Sequence, residues 1–179
     1  MTTMRLRCSL TTLAAVTALA AAGCSDEEPT PVHPAGLAFV ADAPTETPAI
    51  YASGELTGSA LVLTLHGKGL PSLYGVGFRL GYDPSVLALS TFERADGWSA
   101  DAIAIARESV PGSLTGAITA RGDVTGLDAS DAPLAVVRFD LKADAETTVS
   151  FVTERSFAQL ADGSEPSVSW YGGAVRATQ

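Results

Sequence analysis

Cysteine is almost missing from this sequence: Cys8 and Cys24 are the only two, and both precede residue 25. The rest of the chain has no thiol, which excludes disulfides and thiolate metal sites and leaves stability to a packed core. Histidine is as scarce, with His33 in a proline-rich stretch and His66 further on. A zinc site of the usual Cys/His kinds therefore has no ligand set. No Gly-x-Ser-x-Gly segment occurs, so a Ser-His-Asp triad would depend on His66 without a nucleophile elbow. Lysine is reduced to Lys68 and Lys142, and 11 basic residues stand against 20 acidic ones, a formal charge of −9. Such a surface repels nucleic acid and anionic headgroups and suits neutral or basic partners. Long apolar runs are missing too. The apolar-or-small stretch at 10–22 has about 13 residues, whereas a bilayer span takes roughly 20.

What the first two dozen residues do have is the three-part shape of an export signal. Arg5 and Arg7 come first, then Leu10, Leu13, Val16 and Leu19 among alanines, then Leu19-Ala20-Ala21-Ala22-Gly23-Cys24. Small residues directly before a cysteine resemble the bacterial lipobox, although the leucine usual three places before the cysteine is Ala21 here. The resemblance implies cleavage between Gly23 and Cys24 and acylation of Cys24, so that a lipid bilayer is one partner of the chain. One acyl chain holds only marginally at about 0.8 kcal/mol per buried methylene, and two or three make release negligible. Ser25, not aspartate, follows the cysteine, which by resemblance to enteric sorting rules implies the outer membrane or cell surface. Loss of Arg5 and Arg7 with the signal takes the formal charge to about −11.

After the signal at 1–23, residues 24–48 read as a tether. Asp26, Glu27 and Glu28 are followed by Pro29, Pro31, Pro34, Pro44 and Pro48, a density that favours extended, unpacked chain. Leu37-Ala38-Phe39-Val40 stands apart in composition, and a short first strand and continued tether are both open readings. From 49 to 179 the period becomes two. Leu61, Leu63 and Leu65 alternate with Val62 and Thr64; Val76, Phe78, Leu80 and Tyr82 alternate with Gly77, Arg79 and Gly81; Val137, Phe139 and Leu141 alternate with Arg138 and Asp140. Ile103 and Ile105 alternate with alanines, a spacing that argues for a strand although Ser99 to Glu108 is alanine-rich. Turn signals separate the runs at Gly67-Lys68-Gly69, Asp83-Pro84-Ser85, Pro111-Gly112, Asp131-Ala132-Pro133 and Ala161-Asp162-Gly163. Many short alternating strands with such punctuation define an all-β antiparallel sandwich, one face of each sheet on the core and one in water.

The stretch Leu73-Tyr74-Gly75-Val76-Gly77-Phe78-Arg79-Leu80-Gly81-Tyr82-Asp83-Pro84-Ser85-Val86-Leu87 resembles the cohesin family and its cellulose-binding relatives, which carry Gly-x-x-Phe-x-Leu-x-Tyr-Asp-Pro-x-x-Leu across two adjacent strands. Gly75, Phe78, Leu80, Tyr82, Asp83, Pro84 and Leu87 fit that spacing. Ala135-Val136-Val137-Arg138-Phe139-Asp140-Leu141-Lys142-Ala143 is similar to a later strand of the family, and Gly172-Gly173-Ala174-Val175 to its closing hairpin. The resemblance spans about residues 50 to 177 and implies a cohesin-like jelly roll of about nine strands. In cohesins of cellulose-degrading complexes one sheet face docks the helical dockerin module of an enzyme. A dockerin-type protein is thus the implied partner, although no set of dockerin-contacting residues carries over. The resemblance implies no cofactor and no catalysis.

Other candidates arise from the residues themselves. Asp123, Asp128 and Asp131 cluster in one loop and could supply oxygens to calcium, but their spacing does not follow the EF-hand pattern; a solvated loop is the competing reading. Polysaccharide is the alternative ligand class, because sugar rings stack on exposed flat aromatics. Tyr74, Tyr82 and Trp170 fall in phase with core positions. That leaves Trp98, after Asp96-Gly97, and Tyr171 as the expected exposed pair. His66 is expected in an exposed turn beside Gly67. A structural envelope lipoprotein, with the domain as a spacer, is the remaining reading.

Overall fold

The computed structural model describes residues 36–178; the signal, Cys24 and His33 lie outside the described residues. Alternation builds eleven strands: β1 (Leu37–Ala41), β2 (Ala49–Thr57), β3 (Ala60–Tyr82), β4 (Leu87–Arg94), β5 (Ile103–Val110), β6 (Ser113–Thr119), β7 (Leu127–Leu141), β8 (Thr147–Phe151), β9 (Phe157–Leu160), β10 (Ser169–Tyr171) and β11 (Gly173–Ala177). No α-helix occurs among the described residues, only a 3-10 turn at Thr153–Arg155.

β3 organises the sandwich. Its first half runs between β2 and β7, and β7 in turn carries β4, giving a first sheet closed on its other side by β10. Its second half pairs with β6 on one side and with β8 and β9, end to end, on the other; β5 extends β6, and β11 and β1 extend β8. The transfer happens between Leu70 and Leu73, where the register shifts and Ser72 takes a φ of 59° after Pro71. A bulge of this kind bends a strand and re-aims the residues beyond it.

The two inner faces meet in one apolar layer. Leu61, Leu63, Leu65, Val137 and Phe139 come from the first sheet, and Val76, Phe78, Leu80, Leu114 and Ile118 from the second, each at most 2% exposed. Side chains of this size contribute about 1.5–3 kcal/mol each on full burial. Aromatic edges knit the layers: Tyr82 meets Phe139 at 4.8 Å between ring centroids, and Phe78 meets Phe92 at 6.0 Å. The Asp83-Pro84-Ser85 turn forms as its residues dictate, with the Asp83 carboxylate accepting from the Ser85 backbone N–H at 2.8 Å and its hydroxyl at 2.6 Å. Those two donors hold the Asp83 carboxyl below the usual carboxylate range.

Several expectations need correction. Leu37–Ala41 belongs to the sheet, paired residue for residue with β11, so the folded region starts before residue 49. Its Phe39 ring explains why: it lies over Gly54 and Gly173, where any Cβ would come within 2.6 Å of it. Gly67-Lys68-Gly69 and Asp131-Ala132-Pro133 are not turns but interior parts of β3 and β7. Gly67 is opposite Ile50 on one side and Ala132 on the other, so continuing ladders override the local punctuation.

Trp98 is the third correction. It is 4% exposed, and its indole Nε1–H donates to the Leu134 carbonyl oxygen at 2.9 Å. The chain leaving β4 crosses the end of the sandwich here, and the indole plugs the gap while Arg94 Nη2 donates to the Ala100 carbonyl at 3.2 Å. A ring in this place stabilises the fold and offers no surface to a ligand. Trp98→Ala should therefore lower unfolding free energy by about 3–5 kcal/mol, read from denaturant titration. A drop below about 1 kcal/mol would mean the ring is not part of the core.

Candidate functional site

The outer face of the second sheet carries the surface that most needs explaining. In β5 the pattern runs opposite to the usual rule: Ala104 and Ala106, with Ala102 just before the strand, pack against the core, and Ile103 and Ile105 face solvent at 45% and 63% exposure. The register sets their neighbours. Ile105 lies opposite Ala117, Ala117 opposite Gly77, and Gly77 opposite Phe157, making one apolar row across β5, β6, β3 and β9. Phe157 is itself 53% exposed and lies flat on Gly77; a Cβ there would be 2.4 Å from the ring. Glycine at this position is what lets an aromatic from β9 fold onto the sheet instead of standing out from it.

One step along the strands the row becomes Arg107, Thr115 and Arg79, with Arg79 Nε–H donating to Thr115 Oγ1 at 3.3 Å. The result is an apolar centre flanked by two guanidiniums on an otherwise acidic chain. Ile105, Arg107, Thr115 and Ala117 also line a shallow, mainly apolar hollow of about 440 Å³.

The far end of β5 is fastened to the core. Tyr82 reaches from beneath the sheet and its hydroxyl donates to Glu108 Oε1 at 2.5 Å; the same oxygen accepts the Gly112 backbone N–H at 2.9 Å. The Tyr82 hydrogen bond, and after it the Gly112 one, hold the Glu108 carboxyl below its ordinary range. Burial, reinforced by Glu108, pushes the Tyr82 phenol up. This clamp fixes the β5–β6 hairpin and with it the face.

The outer face of the first sheet is polar and differently built. His66 is half-buried within β3 and not in a turn; its ring stacks on Tyr51 with centroids 4.9 Å apart and planes at 11°. His66 Nε2 and Ser53 Oγ share a hydrogen bond of 2.9 Å, and burial lowers the imidazole's proton affinity while Asp131 raises it. Asp131 Oδ1 accepts the Tyr51 hydroxyl at 2.8 Å, so the carboxylate orients the tyrosine. Tyr171 lies opposite Tyr51 in register, half-buried, its hydroxyl bonded to Thr45 Oγ1 and to the Glu46 backbone N–H, each at 3.1 Å.

Of the aromatics considered for sugar stacking, Trp98 is buried, Tyr51 stacks one ring face on His66, and Tyr171 is half-buried with its hydroxyl bonded to Thr45. The structure does not bring Trp98 and Tyr171 together as a site. Asp123, Asp128 and Asp131 also diverge. Asp128 accepts from Ser130 in a local turn, Asp131 serves Tyr51, and Asp123 lines a separate cavity with Ser72 and Asp162. Among the described residues no group of three or more His, Cys, Asp or Glu side chains could hold a metal ion.

The chain is thus a bent two-sheet sandwich with an exposed apolar face on its second sheet. No protein-family model matches the sequence, and no curated protein is similar to it. Solved structures are similar, and they are cohesins. One is a cohesin module from a Clostridium perfringens family 33 glycoside hydrolase, with TM-score 0.55, 15% identity, 74% of this chain covered and 97% of that one. Another is the sixth cohesin of Acetivibrio cellulolyticus scaffoldin B, solved with a Cel5 dockerin, with TM-score 0.57, 17% identity, and coverage of 78% and 96%. A third is a non-cellulosomal cohesin of the archaeon Archaeoglobus fulgidus, with TM-score 0.54, 14% identity, and coverage of 81% and 92%. The chain has a cohesin-like fold.

The clamp makes the face sensitive to acid. Because the folded Glu108 titrates below its unfolded value, its contribution is complete above the ordinary carboxylate range and is lost as pH falls through the depressed folded value. The difference in melting temperature between the native chain and Glu108→Gln should therefore be present at neutral pH and shrink as the pH falls below about 4. A difference independent of pH would show that the carboxylate charge has no part in the clamp.

Proposed function

We propose that this chain is a lipid-anchored, non-catalytic docking module that binds a dockerin-type protein through the outer face of β5, β6, β3 and β9. The observation that carries the reading is the pair of solvent-facing isoleucines, Ile103 and Ile105, joined to Phe157 across the sheet where the alternation rule would bury them. Apolar side chains gathered on a rigid face, with a polar and charged surround, are what a binding hot spot requires. Arg79 and Arg107 beside them select a partner that offers acidic or carbonyl groups. The cohesins solved in complex with dockerins support a partner of that kind, and the buried Trp98 weighs against the expected Trp98–Tyr171 sugar platform.

The test is titration calorimetry of the chain against recombinant dockerin modules from the same genome. We expect Ile105→Glu to weaken binding by at least about tenfold, with the melting temperature little changed because the residue is exposed. No binding to any dockerin would end this reading. The anchor is tested separately. The native chain should partition into detergent and carry acyl mass on Cys24, whereas Cys24→Ser should be released as a soluble protein. Release of the native chain without lipid would remove the anchor while leaving the docking face untouched.

A further inference from the structure

Trp170 keeps the core phase of its strand, yet it is only half-buried. Its ring packs on Phe151, with centroids 5.1 Å apart, and it also lines a hollow of about 350 Å³ beside β9. Phe157, the ring that lies on Gly77, forms another part of the wall, so the hollow adjoins the docking face at its β9 border. Its polar lining includes Thr153, Ser167 and Glu165. Among the described residues Glu165 is the one charged group on the hollow, and its carboxylate has no hydrogen-bond or ion-pair partner. Arg155 sits in the adjoining 3-10 turn without pairing to it.

Both walls are fastened before any ligand arrives. On one side Ser156 Oγ donates to the Val152 carbonyl at 2.8 Å and accepts the Arg79 backbone N–H at 3.2 Å, which pins the 3-10 turn to β3. On the other, the Ser164 carbonyl accepts the Leu160 N–H at 2.9 Å, and the Ser169 N–H donates to the Pro48 carbonyl at 3.1 Å. The segment 165–168 is thus held at each end and stiffened by Pro166. A site whose walls are set in advance loses less freedom on binding.

We infer that this hollow binds a basic side chain, lysine or arginine, of a protein partner. Aromatic rings attract cations through their electron-rich faces, tryptophan most of all. The unpartnered carboxylate of Glu165 supplies the opposite charge, and the formal charge of −9 on the whole chain draws cations toward it. The hydroxyls of Thr153 and Ser167 are acceptors for the N–H groups that such a cation brings. Glu165 disfavours an anion in the same place. An orienting role follows, and it rests on the docking reading, whereas cation binding does not. Arg79 and Arg107 lie on the docking face and Glu165 beyond its β9 border. A partner with acidic groups toward the former and a basic residue toward the latter therefore seats in one direction only.

Residues 36–178 enclose their own core, so the chain from residue 25 onward serves for the test. Trp98 and Trp170 are its two tryptophans, their indole N–H signals are followed in nitrogen–proton correlation spectra, and Trp170→Phe assigns them. The probes are the Nα-acetyl amides of lysine and arginine, with that of norleucine as the neutral match. At least one cation should shift the Trp170 signal saturably, with a dissociation constant of about 1–30 mM. The norleucine compound should bind about fivefold more weakly or worse. Glu165→Gln should raise the cation's dissociation constant about threefold or more at an unchanged melting temperature. A signal unmoved by both cations, moved equally by the norleucine amide or by matching sodium chloride, or indifferent to Glu165→Gln would overturn the proposal. Cellobiose moving it where the cations do not would also overturn it, and would mark the hollow as a sugar site. For a dockerin that binds, Glu165→Gln should weaken the complex by a similar factor, and an undiminished affinity would overturn occupancy by a partner's side chain. Docking fails separately. Ile105→Glu should leave cation binding intact, and a chain that takes the cations but no dockerin would refute docking and leave the pocket standing.

Discussion

Twenty-three consecutive residues of β3 serve two sheets that face each other, and no flat strand can do that. The bend at Leu70–Leu73, with Pro71 and the left-handed Ser72, turns the strand from one layer to the other without breaking it. Everything else is placed by this bend. The first half of β3 holds β2 and β7 and thereby the polar face with Tyr51 and His66. The second half holds β6, β8 and β9, and thereby the face where Phe157 folds onto Gly77 beside Ile105. β7 follows the same course, with Ala129 and Leu127 paired to Leu70 and Leu73 on either side of the shift. Two neighbouring strands that bend together make the corner a shared feature of the ladder, more robust than one kinked chain.

The parts of this architecture that depend on nearest neighbours are legible in the amino-acid order. The phase of Phe78, Leu80 and Tyr82, and the side-chain-closed turn at Asp83, follow from a period of two and from what aspartate, proline and serine do locally. Other parts depend on what lies across the sheet, which local order does not encode. Gly67-Lys68-Gly69 has the composition of a turn, yet strands on both sides pair with Gly67 and Lys68 and carry the chain on through it. Trp98 follows an Asp-Gly pair typical of loops, yet it covers an open end of the core and finds a carbonyl for its N–H. His66 stands beside glycines, yet it stacks on a tyrosine from the adjoining strand.

The candidate site was the least legible part, for a particular reason. Ile103 and Ile105 follow the strand period, but the period does not say which face points inward. Where isoleucine alternates with alanine, hydrophobicity puts the larger side chain in the core. Here the reverse holds: Ala104 and Ala106, opposite Ile118 and Gly116 of β6, pack against the core, and the isoleucines face out. A local inconsistency of that sort, a large apolar residue displaced outward by a small one, is the kind of signal expected at a functional surface. The usable clue was the alanine itself, at every second position from Ala102 through Ala106.

The chain enters its fold by way of β1, whose five residues lie antiparallel to the final strand, with Phe39 wedged over Gly54 and Gly173. Antiparallel ladder bonds stand perpendicular to the strands. A pull transmitted along β1 from the residues before it therefore shears several of these bonds simultaneously, whereas a pull across the strand would peel them one after another. The wedged ring adds a mechanical stop, since β1 cannot slide past β11 without lifting it from its groove. A domain connected in this way resists tension at its N-terminal end more than its modest strand length implies.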